Sequence, residues 1–439
     1  MRKVDRGTNT LKQRLTIAVL GLGTVGGGVP ALLEKHREKI SQVTGMEVVL
    51  AKALVKDKTE EKPVQLAKEF GFELTENFED IINDKEIQIV AELIGGIEPA
   101  RTFIKRSLES GKHVITANKD LIAQFGPELV QIAKQQKCDL YYEASVAGGI
   151  PILRTISNSL VADSIEKIYG IVNGTTNFML TKMLLEKCSY EEALSEAQSL
   201  GFAESDPTND VDGIDAAYKM VILTQFSFGM NISVEDIDKV GIRGLKAEDI
   251  EVAQQLGYVI KLLGSAEMTD GSVSAEVGPV LVPKYHPLAS VQNEMNGVFV
   301  NSSGVGESMY YGPGAGEKPT ATSVMSDLIT IAKNIRMETT GHQFNLFNQE
   351  TKLTPAESIF SKYYVAVEVP DQQGMLLKIT RLMTEAGVSF DQILQQQSDG
   401  KNARVVIITH EISKAQMEQV KCSFEASEEI KLKSSYRVL

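Results

Sequence analysis

The residues best suited to chemistry lie in one acidic stretch, Ala197–Lys219, where five carboxylates precede a single lysine. The acids are Glu204, Asp206, Asp210, Asp212 and Asp215. Pro207 and Gly213 interrupt the stretch before it turns helical. A helix that begins near Gly213 brings Asp215 and Lys219 onto one face, because they are four residues apart. Such carboxylates can hold a cationic group of a ligand while Lys219 faces the reacting atom.

Two other interpretations of this stretch are a surface ion pair and a calcium loop. A lone Asp/Lys pair at this spacing is usually solvent-exposed and contributes little. Asp210–Gly213 resembles the middle of an EF-hand, but Thr208 stands where the first acidic ligand belongs and Lys219 where the last belongs. The calcium interpretation therefore fails at both ends, and the ion-pair interpretation stays open.

The stretch also carries a family resemblance. The residues concerned are Ala197, Gly201, Phe202, Ala203, Asp206, Pro207, Asp210, Val211, Gly213, Asp215 and Lys219. Their types and spacing resemble the signature of homoserine dehydrogenases. The resemblance implies an oxidoreductase that interconverts L-aspartate 4-semialdehyde and L-homoserine with a nicotinamide cofactor, on the route to threonine and methionine.

The resemblance further implies roles for single residues. Lys219 would donate a proton to the carbonyl oxygen, with Asp215 and Lys119 as the other catalytic residues. Lys119 ends Thr116–Lys119, which has the family's Thr-x-Asn-Lys form, and two ammonium groups near one oxyanion supply charge stabilisation. The expected substrate-binding residues are Glu204, Asp215, Thr175 and Thr176.

A glycine-rich turn near the N-terminus predicts a dinucleotide site. The β-rich run Leu15–Leu20 leads into Gly21-Leu-Gly23-Thr-Val-Gly26 and then into a helical segment. In that context the first glycine permits the turn, the second admits pyrophosphate to a helix N-terminus, and the third lets helix pack on strand. A glycine-rich turn without a ligand is the less favoured alternative.

Lysines near the end of the second predicted strand favour NADP. Lys52, Lys56 and Lys58 suit a 2′-phosphate, whereas an NAD site usually has a carboxylate there, and Asp57 leaves that alternative open. The lysines could also be simply solvated. The expected cofactor-binding residues are Gly21, Gly23, Thr24, Val25, Gly26, Lys56, Gly95, Thr116, Lys119, Gly201 and Gly316.

A second glycine-rich turn, Ala144–Pro151, follows the predicted strand Asp139–Glu143. Its free carbonyl groups and the Glu143 carboxylate could ligate a hard monovalent cation, although a tight turn between domains explains the same residues. The resemblance implies sodium here. The ligands would be Glu143 and the carbonyl oxygens of Val146, Gly148 and Ile150.

The order of predicted elements indicates an α/β protein. Alternating strands and helices predict a Rossmann-type doubly wound sheet in residues 1–145 and 318–340. An α+β substrate-binding and dimerisation domain is expected in 146–317, and a linker in 341–357. Residues 358–439 predict a ferredoxin-like βαββαβ module that resembles an ACT domain.

The ACT resemblance implies regulation by an amino acid. L-Threonine is the expected effector, although a module used only for dimer contacts stays an open alternative. We expect a homodimer or homotetramer. Deletion of the chain after Glu357 is expected to leave the chemistry and to remove any threonine response.

Composition narrows the class of protein. A net charge of −13 argues against nucleic acid or an anionic membrane as the main partner. No apolar run is long enough to span a bilayer, and Leu15–Leu20 is too short for a signal sequence. A cytoplasmic location is therefore expected. The scattered cysteines and histidines form no disulfide framework or zinc motif.

Two rival functions deserve comparison. An aspartate-semialdehyde dehydrogenase needs a cysteine thiolate as nucleophile, and none of Cys138, Cys188 and Cys422 lies in a glycine-rich nucleophile turn. A non-catalytic amino-acid sensor would use the terminal module with a vestigial nucleotide fold. The intact acidic stretch and the two lysines, Lys119 and Lys219, argue against such a sensor.

Overall fold

The computed structural model describes residues 13–397 and 400–439, so the first twelve residues of the predicted nucleotide-binding domain lie outside the described ones. The chain forms two compact units. The first unit runs up to Ser157 and includes Ala315–Leu346, and the second contains Asn158–Gly314 and Phe347–Leu439. Most of the predicted substrate domain and the whole terminal module thus fall within the second unit, whereas residues 146–157 and 315–317 belong to the first.

The strands alternate with helices in the first unit and dominate the second. The described strands are β1 (Gln13–Leu20), β2 (Met46–Leu54), β3 (Glu73–Thr75), β4 (Ile87–Glu92), β5 (His113–Thr116), β6 (Leu140–Tyr141), β7 (Ile165–Ile171), β8 (Asp238–Lys239), β9 (Tyr258–Thr269), β10 (Ser272–Pro283), β11 (Met295–Ser302), β12 (Gly306–Pro313), β13 (Phe360–Pro370), β14 (Phe390–Gln397), β15 (Asn402–Thr409), β16 (Ile412–Ser413) and β17 (Lys431–Val438). The described α-helices are α1 (Thr24–Lys35), α2 (Arg37–Thr44), α3 (Glu61–Phe70), α4 (Glu79–Ile82), α5 (Ala100–Glu109), α6 (Lys119–Gln135), α7 (Ile152–Arg154), α8 (Gly174–Glu186), α9 (Tyr190–Ser199), α10 (Thr208–Val211), α11 (Ile214–Phe228), α12 (Ala247–Gln255), α13 (Glu317–Met337), α14 (Met375–Glu385) and α15 (Lys414–Glu425). Among the described residues, no helix has the length and apolar character needed to cross a membrane.

A parallel sheet forms the centre of the first unit, with strand order β3-β2-β1-β4-β5-β6. The last six residues of β1 are buried, as expected for a strand covered by helices on both faces. This is the doubly wound order, in which ligands bind at the carboxyl ends of the strands. The Rossmann-type prediction is confirmed.

The second unit is built on a large sheet with the path β12-β11-β7-β9-β10-β17-β13-β15-β14. The terminal module supplies β13, α14, β14, β15, α15 and β17, together with the short strand β16. Its βαββαβ order confirms the predicted ferredoxin-like fold. One predicted detail was wrong: the strand expected over Asp139–Glu143 is limited to Leu140–Tyr141 in β6.

The terminal module is joined to the rest of the second unit by backbone pairing. Strand β17 lies parallel to β10, with Val280 opposite Arg437 and Leu281 opposite Val438. Beside this seam, the fully buried Asp249 of α12 accepts hydrogen bonds from four side chains of the module. The donors are Tyr364, Arg404, Ser434 and Tyr436.

This seam bears on the expected truncation. A cut after Glu357 would remove the neighbour of β10 and all four of these donors to Asp249. The expectation that the shortened chain keeps its chemistry is therefore not supported, because the module is a structural part of the sheet.

Candidate active site

The acidic stretch and the loop after β7 meet around Lys219. Helix α11 begins directly after Gly213, and its first two turns present Asp215 and Lys219. Lys219 Nζ donates to Asp215 Oδ2 at 2.7 Å and to the carbonyl oxygen of Val172 at 2.6 Å. Both side chains are only 12% exposed. The pair is therefore not the solvent-exposed ion pair of the alternative interpretation.

Asn173 connects this pair to a second carboxylate. It caps α8 by accepting from the Thr176 N–H at 2.9 Å, and its Nδ2 donates to Asp210 Oδ1 at 2.7 Å and Asp215 Oδ2 at 2.9 Å. Burial, and secondarily the charge of Asp215, raise the pKa of Asp210 above its ordinary value. Two carboxylates thus share one ammonium group and one amide. This surplus of negative charge favours a cationic ligand group nearby.

Asp210 and Asn173 were missing from the predicted site residues, although Asp210 stands in the acidic stretch and Asn173 lies just before the expected Thr175 and Thr176. The sequence alone did not assign a role to either residue, because the residues that they contact in the site are distant in the chain. The spacing between Asp215 and Lys219 is local and was readable. The contact of Asn173 with Asp210 depends on how α8 packs beside the acidic stretch.

The remaining acids of the stretch have other roles. Asp206 accepts from the N–H and the hydroxyl of Thr208 and closes a turn. Asp212 pairs with Arg243 at 2.9 Å, and Glu204 is exposed. In the described part of the chain, no group of three or more acidic, histidine or cysteine side chains is arranged to hold a metal ion. The calcium interpretation therefore gains no support.

The predicted substrate-binding threonines use their own hydroxyl protons within the loop. Thr175 donates to the carbonyl oxygen of Phe202 at 2.6 Å, and Thr176 donates to Asn173 Oδ1 at 2.8 Å. Both hydroxyl oxygens can still accept a hydrogen bond. Gly201 lies in the same unit, exposed at the turn after α9.

A buried lysine supports this loop and was not anticipated. Lys261 of β9 donates to Asn177 Oδ1 at 3.0 Å and to the carbonyl oxygen of Val291 at 2.5 Å. Asn177 in turn donates to the carbonyl groups of Asn293 and Met295. Burial lowers the pKa of Lys261 to about 8. A single lysine within a strand produces no sequence periodicity of its own. The sequence therefore could not assign a role to Lys261.

The glycine-rich turn of the first unit has the geometry of a nucleotide-binding turn. Gly23 is the N-cap of α1, has no side-chain cap and is exposed. A Cβ added at Gly23 would meet no heavy atom within 4 Å, whereas one at Gly26 would lie 1.9 Å from the carbonyl oxygen of Gly21. The second glycine thus leaves room for a ligand and the third permits close packing. Thr24 and Val25 form the first turn of the helix.

Glu92 organises two of the expected cofactor loops. This fully buried carboxylate ends β4 and accepts from the N–H of Gly95 at 3.2 Å and the hydroxyl of Thr116 at 2.6 Å. Asn118 closes the arrangement by donating to the carbonyl oxygen of Gly96 at 2.6 Å. Lys119 follows as the first residue of α6, 3.6 Å from Asp120. The signal for Glu92 was a carboxylate at the end of an apolar run.

Of the three lysines near the end of β2, one is held by nearby oxygen atoms and two are exposed. Lys52 Nζ is bound by the carbonyl oxygen of Asp80 at 3.0 Å and by Asp84 at 2.9 Å, so it does not support the NADP interpretation. Lys56 and Lys58 are exposed just after the strand. Asp57 accepts from the N–H and the hydroxyl of Thr59, which lowers its pKa. Gly316 caps α13 in the same unit.

The predicted cation turn surrounds a group of buried charges. Both oxygens of Glu143 accept backbone N–H groups, from Leu153 at 2.9 Å and Arg154 at 2.8 Å. Arg154 also pairs with the fully buried Asp327. Burial raises the pKa of Glu143 to about 7. Two carboxylates therefore face one guanidinium. Gly148, whose carbonyl oxygen accepts from Ser323 at 2.7 Å, lies in the turn.

The fold and these sites define a class of protein. A doubly wound sheet with an open glycine-rich helix start is a nucleotide-binding domain, and a partly buried lysine held by a carboxylate suits proton transfer at a carbonyl group. The chain is an NAD(P)-dependent oxidoreductase. The aspartate-semialdehyde alternative is not supported, since burial raises the pKa of the Cys138 thiol to about 11, far from a reactive thiolate.

Comparisons with known proteins identify the family. The model of the homoserine dehydrogenase NAD binding domain matches residues 21–143, that of homoserine dehydrogenase 151–329, and that of the ACT domain 363–421. The homoserine dehydrogenase of Lactococcus lactis subsp. lactis (strain IL1403) is 48% identical over 97% of this chain and 99% of the relative. The chain belongs to the homoserine dehydrogenase family and carries an ACT domain, which confirms the predicted resemblance.

Solved structures of homoserine dehydrogenases are similar to this chain, which agrees with the family assignment. A homoserine dehydrogenase from Thiobacillus denitrificans is 36% identical, with a TM-score of 0.92 over 97% of this chain and 98% of that chain. A hyperthermophilic archaeal homoserine dehydrogenase in complex with NADPH is 28% identical, with a TM-score of 0.62 over 73% of this chain and 98% of that one.

The two glycines of the nucleotide turn predict different defects. Gly23→Ala should fold normally but weaken NADPH binding, on the order of tenfold or about 1.4 kcal/mol, because its methyl group occupies the space for pyrophosphate. Gly26→Ala should lower the melting temperature, because its methyl group collides with backbone. Fluorescence titration and thermal unfolding measure the two effects. Normal NADPH affinity in Gly23→Ala would show that the turn is not the cofactor site.

Proposed function

We propose that this chain interconverts L-homoserine and L-aspartate 4-semialdehyde with NADP(H) as the favoured cofactor, and that Lys219 transfers the proton. The observation that carries the proposal is the Lys219 ammonium group held by Asp215 and the Val172 carbonyl. Two of its three N–H bonds are directed at these oxygens, which leaves the third for a substrate oxygen. The reaction belongs to threonine and methionine synthesis.

The proposed chemistry is a balanced transfer of a hydride and a proton. When bound, NADPH supplies the hydride that the aldehyde carbon accepts. Lys219 donates its proton to the carbonyl oxygen, and in the reverse direction it removes the hydroxyl proton of homoserine. Asp215 fixes the direction of the amine. Lys119 acts as a second cation for the oxyanion, a role supported by the family resemblance of Thr116–Lys119.

The proposed substrate contacts follow from the charges of the carboxylates near Lys219. The substrate ammonium group is attracted to the surplus of carboxylates near Lys219, where Asp215 and the exposed Glu204 are its proposed ligands. Thr175 and Thr176 can contact the substrate only as acceptors, since their protons are already donated. A hydroxyl or ammonium group of the substrate would meet that requirement.

Replacement of Lys219 tests the central assignment. Lys219→Ala should lower kcat by about a hundredfold or more, the usual contribution of a general acid, while NADPH affinity stays unchanged. Lys187→Ala is the matched control, because that lysine is 71% exposed in the same unit. Steady-state assays with homoserine and NADP measure turnover. Near-native turnover in a folded Lys219→Ala protein would refute the proton-transfer role.

NADP preference rests on Lys56, the exposed cation that directly follows the end of β2 and Val55. A solved relative was captured with NADPH. Lys56→Glu should weaken NADP binding about tenfold more than NAD binding, the order expected for loss of a charge-assisted hydrogen bond. Lys85→Glu is the control, because this exposed lysine precedes β4 at the opposite end of the sheet. Equal losses for NAD and NADP would remove the basis for the preference.

Sodium is proposed at the turn that contains Glu143. Hard oxygen donors suit such a cation, and the proposed ligands are the Glu143 carboxylate and the carbonyl oxygens of Val146, Gly148 and Ile150. Ala147 and Gly148 both have positive φ, 53° and 47°, so the turn is held in an unusual shape. Burial raises the pKa of Glu143 to about 7 and that of Asp327 to about 8, and a monovalent cation beside them would favour their ionised forms.

Exchange of the salt tests this site without an activity assay. Sodium chloride should raise the melting temperature relative to tetramethylammonium chloride at equal ionic strength, because binding stabilises the folded chain. Glu143→Gln should abolish the difference, and the exposed Glu109→Gln should retain it. An identical salt response in Glu143→Gln and the native protein would exclude Glu143 as a ligand.

The ACT domain indicates a small-molecule effector, and L-threonine is its proposed identity. A homodimer or homotetramer is proposed for the assembly, and a cytoplasmic location stays a prediction. Within the module, the turn Asp371–Gly374 leads from β13 into α14. The ACT resemblance would have the effector bind between paired copies of the module.

A further inference from the structure

One buried lysine has no part in the proposed chemistry. Lys261 of β9 is 1% exposed, and burial lowers its pKa to about 8. Among the residues that the structure describes, no carboxylate forms an ion pair with it. A buried amine without a counter-ion lowers the stability of the fold. The contribution of Lys261 therefore lies in the hydrogen bonds that it donates.

Those hydrogen bonds fix the orientation of an amide in α8. Lys261 Nζ donates to Asn177 Oδ1 at 3.0 Å and to the carbonyl oxygen of Val291. Asn177 is itself 1% exposed, and its Nδ2 donates to the carbonyl oxygen of Asn293 at 2.9 Å. A buried amide oxygen needs a donor, and Lys261 is that donor. One amine therefore joins β9, α8 and the segment 291–295.

The segment 291–295 packs directly on the start of α8. A Cβ placed on Gly174, the first residue of this helix, would lie only 2.7 Å from the carbonyl oxygen of Glu294. Gly174 stands between Asn173, whose amide holds two carboxylates of the site, and the proposed substrate ligand Thr175. Because a packed interior leaves little free space, a displacement of the segment moves these two side chains.

We propose that Lys261 is a positioning residue of the homoserine site, which holds the start of α8 in the orientation that binds substrate. It acts through Asn177 and the segment 291–295, not through contact with the reacting atoms. The effect falls on substrate affinity, because Lys219 is held by separate acceptors. The effect on homoserine binding rests on the proposed function, whereas the support of α8 does not.

Lys261→Met tests this role in the full-length protein, because methionine is similar in size and donates no hydrogen bond. The KM for homoserine should rise about tenfold, as for loss of a buried hydrogen bond, while kcat and the KM for NADP stay near their native values. A rise in KM at constant kcat indicates lost substrate binding rather than lost chemistry. Steady-state kinetics at varied homoserine concentration measure both constants. A native KM for homoserine in the folded variant would overturn the proposal.

Further variants separate positioning from a general loss of stability. Asn177→Ala should raise the same KM, and the double variant should raise it no further than the larger single effect, because both residues act through one chain of contacts. Ile407→Ala is the matched control, because it removes a buried side chain from the core of the terminal module. It should lower the melting temperature and leave the KM for homoserine native. Additive effects in the double variant, or an equal rise of KM in Ile407→Ala, would contradict the positioning role.

Hydrogen exchange measures the support of α8 without any turnover. Lys261→Met should speed amide exchange in peptides that cover α8 and the segment 291–295, and leave the terminal module at its native rate. Unchanged exchange in both peptides would overturn the proposal. If Lys261→Met does not fold, Asn177→Ala decides, and native exchange there has the same consequence. If the native protein does not oxidise homoserine, the proposed function fails, while the exchange rates still decide whether Lys261 positions α8.

Discussion

The second unit depends on keeping one ammonium group in place where water is largely excluded. A charge removed from solvent must be compensated by nearby acceptors, and Lys219 finds them in Asp215 and the Val172 carbonyl. Those two oxygens come from α11 and from the end of β7. Asn173 then ties the beginning of α8 to the same carboxylate. The starts of α11 and α8 and the end of β7 thus meet at one amine and its carboxylate partner. These contacts account for the geometry of the proposed site.

Two buried carboxylates of the first unit, Glu92 and Glu143, have charges that must also be compensated by nearby groups. Glu92 is buried at a strand end, where backbone N–H groups and a threonine hydroxyl satisfy it, so the loops beside the nucleotide site take their shape from a carboxylate. Around Glu143 the compensation is incomplete, because Arg154 is shared with Asp327. Buried charges therefore shape both turns, and the incompletely balanced one is where a cation would be most stabilising.

The sequence predicted the features that depend on residues close to one another in the chain. The order of glycines at Gly21–Gly26, the spacing of Asp215 and Lys219, and the alternation of strands and helices are local, and they predicted the fold and the main site. Contacts between distant segments could not be read in the same way. Lys52 was misjudged because its acceptors come from α4 and beyond, and the seam between β10 and β17 has no counterpart in composition or periodicity.

That seam also sets an order of events during synthesis. Strand β10 is made well before β17, its neighbour in the finished sheet. Until the later strand emerges from the ribosome, Val280 and Leu281 of β10 lack their neighbour on that edge, although Glu276 and Val277 already have β8 beside them. Unpaired strand edges are prone to join strands of other chains. The nascent protein would consequently keep this short strand edge open to aggregation while the terminal module is still being translated.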